Sequence, residues 1–178
     1  MKIHIDHLNQ HISQQIKSSD ISDRLFQLGH ENEFKNGILD LEITPNRGDC
    51  LSVKGIIREL TSFFDFKFNP PIYNESIKDF NLDFINNCRA DCPRISFLII
   101  EINETPNKYK NYLESYFEDL SIKKNNFFTD ISNYISYELG QPTHCYDLEK
   151  LGSKLVLERQ KKSSSFLTLT DKEIQLLE

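Results

Sequence analysis

Positive charge is in short supply in this sequence: 21 Lys and Arg stand against 27 Asp and Glu, a formal net charge of −6. A chain that held nucleic acid through bulk charge would be basic. Any RNA contact must therefore be local and shape-based, or shared with a partner chain. Glycine is also scarce, with 6 residues in 178, and neither a P-loop nor a GxGxxG motif occurs, so the common nucleotide-cradling turns are excluded. No stretch approaches membrane-spanning length, and Met1-Lys2-Ile3-His4-Ile5-Asp6 lacks the apolar run of a signal peptide. The reading is a cytoplasmic protein with no membrane partner. Cys88 and Cys92 are close in sequence, but no second close cysteine pair completes a zinc site, and Cys145 beside His144 is the only other candidate ligand couple. The cysteines read as free thiols and no metal ligands are assigned. His4, His7 and His11 share roughly one helical face, yet no carboxylate or cysteine sits at supporting spacing, so they read as a solvated polar face. No internal repeat or heptad is visible.

What the chain does contain is core material: 38% hydrophobic residues, including 13 Phe and 7 Tyr, in a length that suits one good domain or two small ones. Ile5, Leu8, Ile12 and Ile16 predict a first amphipathic helix. Ser18-Ser19 offers the N-cap of a second, which buries Ile21, Leu25 and Leu28 and stops at Gly29. Leu39, Leu41 and Ile43 alternate with Asp40, Glu42 and Thr44, which predicts a strand ended by Pro45. Asp49 is placed to cap a helix burying Val53, Ile56, Ile57, Leu60 and Phe64. Residues 69–88, with Pro70-Pro71, read as a linker. Beyond it, Arg94 to Ile100 predicts a strand. Thr105 and Pro106 predict the start of a helix burying Tyr109, Leu113, Tyr116, Phe117 and Leu120. Phe127 to Leu139 predicts another, ended by Gly140. Leu155 to Glu158 and Phe166 to Leu169 read as a hairpin, after which Thr170-Asp171-Lys172-Glu173 turns the chain into a further short strand. The fold class is α+β: a helix–strand–helix domain over 1–68 and a second, incomplete α/β domain over 89–178.

Two segments carry more than periodicity. Leu39 to Leu60 holds a strand, then Thr44-Pro45-Asn46-Arg47-Gly48-Asp49-Cys50-Leu51-Ser52, then a helix with Gly55, Arg58 and Glu59. Pro45 stops the strand, Asn46 suits the turn, and Arg47 is placed to bridge to Asp49, Glu59 or a facing subunit. With no nucleophile–base pair, this is a strand–turn–helix corner rather than a catalytic site. The second segment is Asp130-Ile131-Ser132-Asn133-Tyr134 running into Glu138-Leu139-Gly140-Gln141-Pro142-Thr143-His144.

Both segments, in this order, resemble signature stretches of the phenylalanyl-tRNA synthetase β subunit. The resemblance implies an N-terminal portion of that subunit, lacking its OB-fold tRNA-binding domain because Glu31 to Asn36 bridges the gap directly, and ending inside the editing domain. By resemblance, the parent enzyme joins phenylalanine to tRNA(Phe) with ATP and Mg²⁺, and its editing domain hydrolyses tyrosine wrongly esterified to that tRNA. Such a second sieve is useful because a pocket for Phe cannot strongly reject an isostere that only adds a hydroxyl. The resemblance makes Ser132, Asn133 and His144 the editing-site residues, the latter two holding the acyl-adenosine end or the attacking water. It implies the α subunit, tRNA(Phe) and the remainder of the β subunit as partners, with no cofactor bound by this chain, and no activity is expected of it alone. The alternatives are a non-catalytic tRNA- or synthetase-binding module and a freestanding hydrolase of misacylated tRNA.

Overall fold

The computed structural model describes residues 1–66, 79–168 and 171–176, which mix helices with small sheets in the manner of an α+β protein. The chain forms two compact units, each assembled from separated segments: Met1–Asn74 with Asn103–Cys145, and Glu75–Ile102 with Tyr146–Glu178. Half of the expected linker, residues 69–78, lies outside the described residues, and a short strand, Phe84–Asn86, occupies part of the remainder.

The first unit opens with β1 (Lys2–His4) and α1 (Ile5–Asn9), followed by α2 (Ser18–Gln27), β2 (Glu31–Lys35) and β3 (Ile38–Glu42). The strands form an antiparallel sheet in the order β1-β3-β2, with Ile3 opposite Leu39 and Phe34 opposite Leu39 on the other side. Neither β1 nor β2 is among the strands expected from periodicity. Their existence rests on pairing: β2 is an edge strand with no apolar face, and Phe34 is exposed. Asn36-Gly37 joins it to β3 with both residues at positive φ, 52° and 79°, the two-residue turn that matches strand twist.

The first helix is shorter than its apolar spacing predicts. It ends at Asn9, yet Ile12 and Ile16 still reach the core at 8% exposure each. The second begins at Ser18 itself, with Lys17 in the cap position and no side-chain cap bond, and Gly29 follows its end at φ 88°. After a 3₁₀ turn at Gly48–Cys50 comes α3 (Val53–Leu60), whose Val53, Ile56, Ile57 and Leu60 are fully buried with Ile3, Leu8, Ile21, Leu25 and Leu39. Each such side chain contributes about 1.5–3 kcal/mol of burial. The cap of α3 is Ser52, not Asp49, and its Oγ accepts the Gly55 N–H at 2.9 Å. Asp49 sits one turn too early, inside the 3₁₀ segment, and its carboxylate is held by arginines instead.

Two further helices complete this unit. α4 (Asn111–Asp119) starts later than Thr105-Pro106 suggest, and buries Leu113, Tyr116 and Phe117. α5 (Phe127–Leu139) is capped by Asn126, whose Oδ1 accepts the Thr129 N–H at 3.1 Å, and ends at Gly140 with φ 73°.

In the second unit, β4 (Phe84–Asn86) pairs in parallel with β5 (Leu155–Leu157), while β6 (Ser164–Leu167) pairs antiparallel with β7 (Glu173–Leu176). The hairpin expected between 155–158 and 166–169 is thus replaced by the later one. Its turn is closed by the Thr168 N–H donating to Lys172 O at 2.8 Å, with Asp171 at φ 57°. Arg94 to Ile100, expected as a strand, has no paired neighbour among the described residues. Leu98 and Ile100 are 61% and 67% exposed there. An apolar run of this kind suits a strand covered on both faces, and here it lacks the cover. No helix among the described residues is long and apolar enough to cross a membrane.

Candidate functional site

The corner after β3 is an electrostatic lock. Arg47 Nε donates to Asp49 Oδ1 at 3.1 Å, and Arg47 Nη2 lies 2.8 Å from Glu59 Oε2 and 3.0 Å from Cys50 Sγ. Arg58 also pairs with Asp49. The bonds from Arg47 hold the Asp49 carboxyl below its ordinary range. Cys50 is buried, and burial, then the Glu59 charge, pushes its thiol up, away from the thiolate a nucleophile needs. Gly55 is required because a Cβ there would come within 2.2 Å of the Asp49 carbonyl oxygen. The bridge from Arg47 to Asp49 and Glu59 is the one the sequence predicts.

The second stretch is mostly scaffold. Asp130 is fully buried, accepting the Tyr109 hydroxyl at 2.7 Å through Oδ2 and the Asn125 N–H at 2.9 Å through Oδ1. Burial and Asp130 push the Tyr109 phenol up to about 12. Ser132, 7% exposed, donates to the Thr143 carbonyl, while Thr143 Oγ1 donates back to the Ser132 carbonyl at 3.1 Å. Ser132 thereby pins the segment after α5 to the helix. Tyr134 is buried against His7, with its hydroxyl 3.4 Å from His7 Nε2. Burial, then the neighbouring His11 charge, lowers the pKa of His7 to about 4. The two stretches meet in this unit: a Cβ on Gly140 would lie 3.1 Å from Ser52 Cβ and Oγ. The residue that caps α3 thus packs on the residue that ends α5.

Of the three residues assigned to editing by resemblance, Ser132 is committed to Thr143, while Asn133 and His144 are both exposed. Neither of the latter makes a hydrogen bond or ion pair among the described residues, and neither lines the hollow formed by His4, His7, Asn111, Tyr112, Tyr116 and Tyr137. Sequence reasoning missed the carboxylate that organises this region. Asp130 stands in the singled-out motif, but its partner Tyr109 is on another element. Two groups gather potential ligand atoms within 4.8 Å of one another: His7 with His11 and Glu138, and His30 with Cys50 and Glu59. Nitrogen and sulfur donors suit zinc-class ions rather than Mg²⁺, which takes oxygen ligands. With no phosphate-cradling loop in the sequence either, ATP and Mg²⁺ do not fit these residues, and no chemical step is assigned to them here.

Residues 91–178 match the family model of the B3/4 domain. Curated relatives named phenylalanine–tRNA ligase β subunit align with most of the chain. That of Aquifex aeolicus is 35% identical over 149 residues, covering 80% of this chain and 18% of the relative. The Neisseria gonorrhoeae protein is 32% identical over 145 residues, covering 78% and 18%. The Rhodopirellula baltica protein is 31% identical over 176 residues, covering 92% and 25%. The chain therefore spans only 18–25% of the length of these relatives.

Proposed function

Given that the chain belongs to the phenylalanine–tRNA ligase β-subunit family, we propose that it serves such a ligase as a scaffold module. It would contribute to charging tRNA(Phe) with phenylalanine and to clearing tyrosine misattached to that tRNA. The observation that carries this reading is the junction of the two signature stretches, where Ser52 meets Gly140. Residues of the two stretches cooperate to set the end of α5 and the segment beyond it.

The editing role follows from what that segment presents. Asn133 and His144 have side chains uncommitted to other described residues, which leaves an amide and an imidazole available to an acyl-adenosine end. An amide can hold the ester carbonyl, and an imidazole can orient or deprotonate water. Ser132 acts as a positioning residue, fixing Thr143 and so the approach of its neighbour His144 to α5. Hydrolysis also needs walls that exclude water and hold the donors in place. The exposure of both side chains means that further polypeptide must provide them.

A Tyr-tRNA(Phe) deacylation assay tests the reading. The chain alone should leave the ester intact. Hydrolysis should appear when it is combined with the remaining β-subunit polypeptide and the α subunit, and His144→Ala should abolish it. Association without hydrolysis would favour a non-catalytic binding module. Hydrolysis by the chain alone, lost in His144→Ala, would instead establish a freestanding hydrolase.

A further inference from the structure

We propose that His7, His11 and Glu138 form a binding site for one zinc-class divalent ion, which ties the N-terminal segment to α5. The three ligand atoms lie within 4.8 Å of one another, before any closure around an ion. His11 Nε2 is 3.3 Å from Glu138 Oε1. Metal–ligand bonds of about 2.0–2.1 Å in a tetrahedron separate the ligand atoms by about 3.3 Å, so this edge already has the required length. His11 Nε2 is buried and, apart from that contact with Glu138, has no hydrogen-bond partner. His7 is only 7% exposed and packs edge-on to His11, with ring centroids 5.2 Å apart.

The surroundings favour a cation. Among the described residues, Glu138 is paired only with His11, and no Lys or Arg neutralises it. The Tyr134 hydroxyl lies 3.4 Å from His7 Nε2, an outer partner of the kind that orients a ligating ring. His7 also lines a hollow shared with His4, Asp6 and Gln10. The other candidate group differs in one decisive respect. Beside His30, Cys50 and Glu59, the Arg47 guanidinium already lies 2.8 Å from Glu59 Oε2 and 3.0 Å from Cys50 Sγ. That cation supplies the positive charge and repels another. Two His and a Glu occupy three tetrahedral positions, leaving the fourth for water.

The experiment uses the whole chain, stripped with a chelator and titrated with Zn²⁺ against a chromophoric competitor, then with Co²⁺ followed by absorption. One equivalent should bind, and Co²⁺ should give the intense visible bands of a four-coordinate site. His11→Ala and Glu138→Gln, both at partly exposed positions and checked for folding by circular dichroism, should each weaken binding by roughly tenfold or more. Cys50→Ser and His144→Ala should leave it unchanged. The proposal is overturned if no ion binds at micromolar concentration, if both ligand variants bind as tightly as the parent, or if Cys50→Ser removes the site.

Discussion

The two units of this chain are similarly apolar in sequence but differ in what they bury. In Met1–Asn74 with Asn103–Cys145, Ile3, Leu8, Ile21, Leu25, Leu39, Ile56, Ile57 and Leu60 are wholly inaccessible. In Glu75–Ile102 with Tyr146–Glu178, no described residue is buried, although Ile95, Leu98, Ile99, Ile100, Val156, Phe166 and Ile174 are as apolar as any core residue. Composition is therefore not what separates them. The first unit supplies a helix for each apolar strand face, whereas the strands of the second pair only in twos. Isolated two-stranded pairs are marginal in water, and without a covering layer their apolar side chains stay exposed.

Truncation should separate the units most sharply. Ile56→Ala empties a fully buried site and should cost about 2–5 kcal/mol in urea unfolding. Leu98→Ala, at 61% exposure, should stay within about 0.5 kcal/mol in the same measurement. Equal effects would break the comparison. Next in size is Asp130→Ala, which strands the Tyr109 hydroxyl and the Asn125 N–H. It should destabilise the first unit by about 1–3 kcal/mol by thermal denaturation, placing that motif residue in the scaffold. Gly140→Ala forces a side chain into left-handed backbone and against Ser52, and should cost about 1–2 kcal/mol by the same method. Arg58→Ala removes pairs that an exposed guanidinium makes with Asp49 and, at 3.7 Å, with Glu59, and should change the urea midpoint by less than the equivalent of about 1 kcal/mol.

The helices were legible because their apolar residues recur at helical spacing: α5 spans Phe127–Leu139 as the pattern indicates, while α3 keeps Val53 to Leu60 but starts after Ser52 rather than Asp49 and stops before Phe64. The lock of Arg47, Asp49 and Glu59 was legible as well, since it is local. β1 and β2 were not, because an edge strand needs only a backbone partner, and their partner β3 is the one strand with an alternating pattern. The Asn36-Gly37 turn was the overlooked signal. The reverse error occurred at Arg94 to Ile100, where strand-forming residues lack the neighbours that make a strand. Of the candidate site, the motif was visible but its division of labour was not. That Ser132 binds Thr143 while Asn133 and His144 stay exposed depends on how the chain folds back after Gly140. Glu138 beside His7 and His11 is likewise a tertiary meeting, invisible to spacing along the N-terminal segment alone.

Hydrogen–deuterium exchange of the chain, alone and with the remaining β-subunit polypeptide, tests the contrast between a closed unit and an open one most directly. The account predicts strong protection of α3 and α5 in both samples, with peptides over 92–102 and 155–167 exchanging fast in the first and slowly in the second. Protection of 92–102 equal to that of α3 in the isolated chain would contradict it.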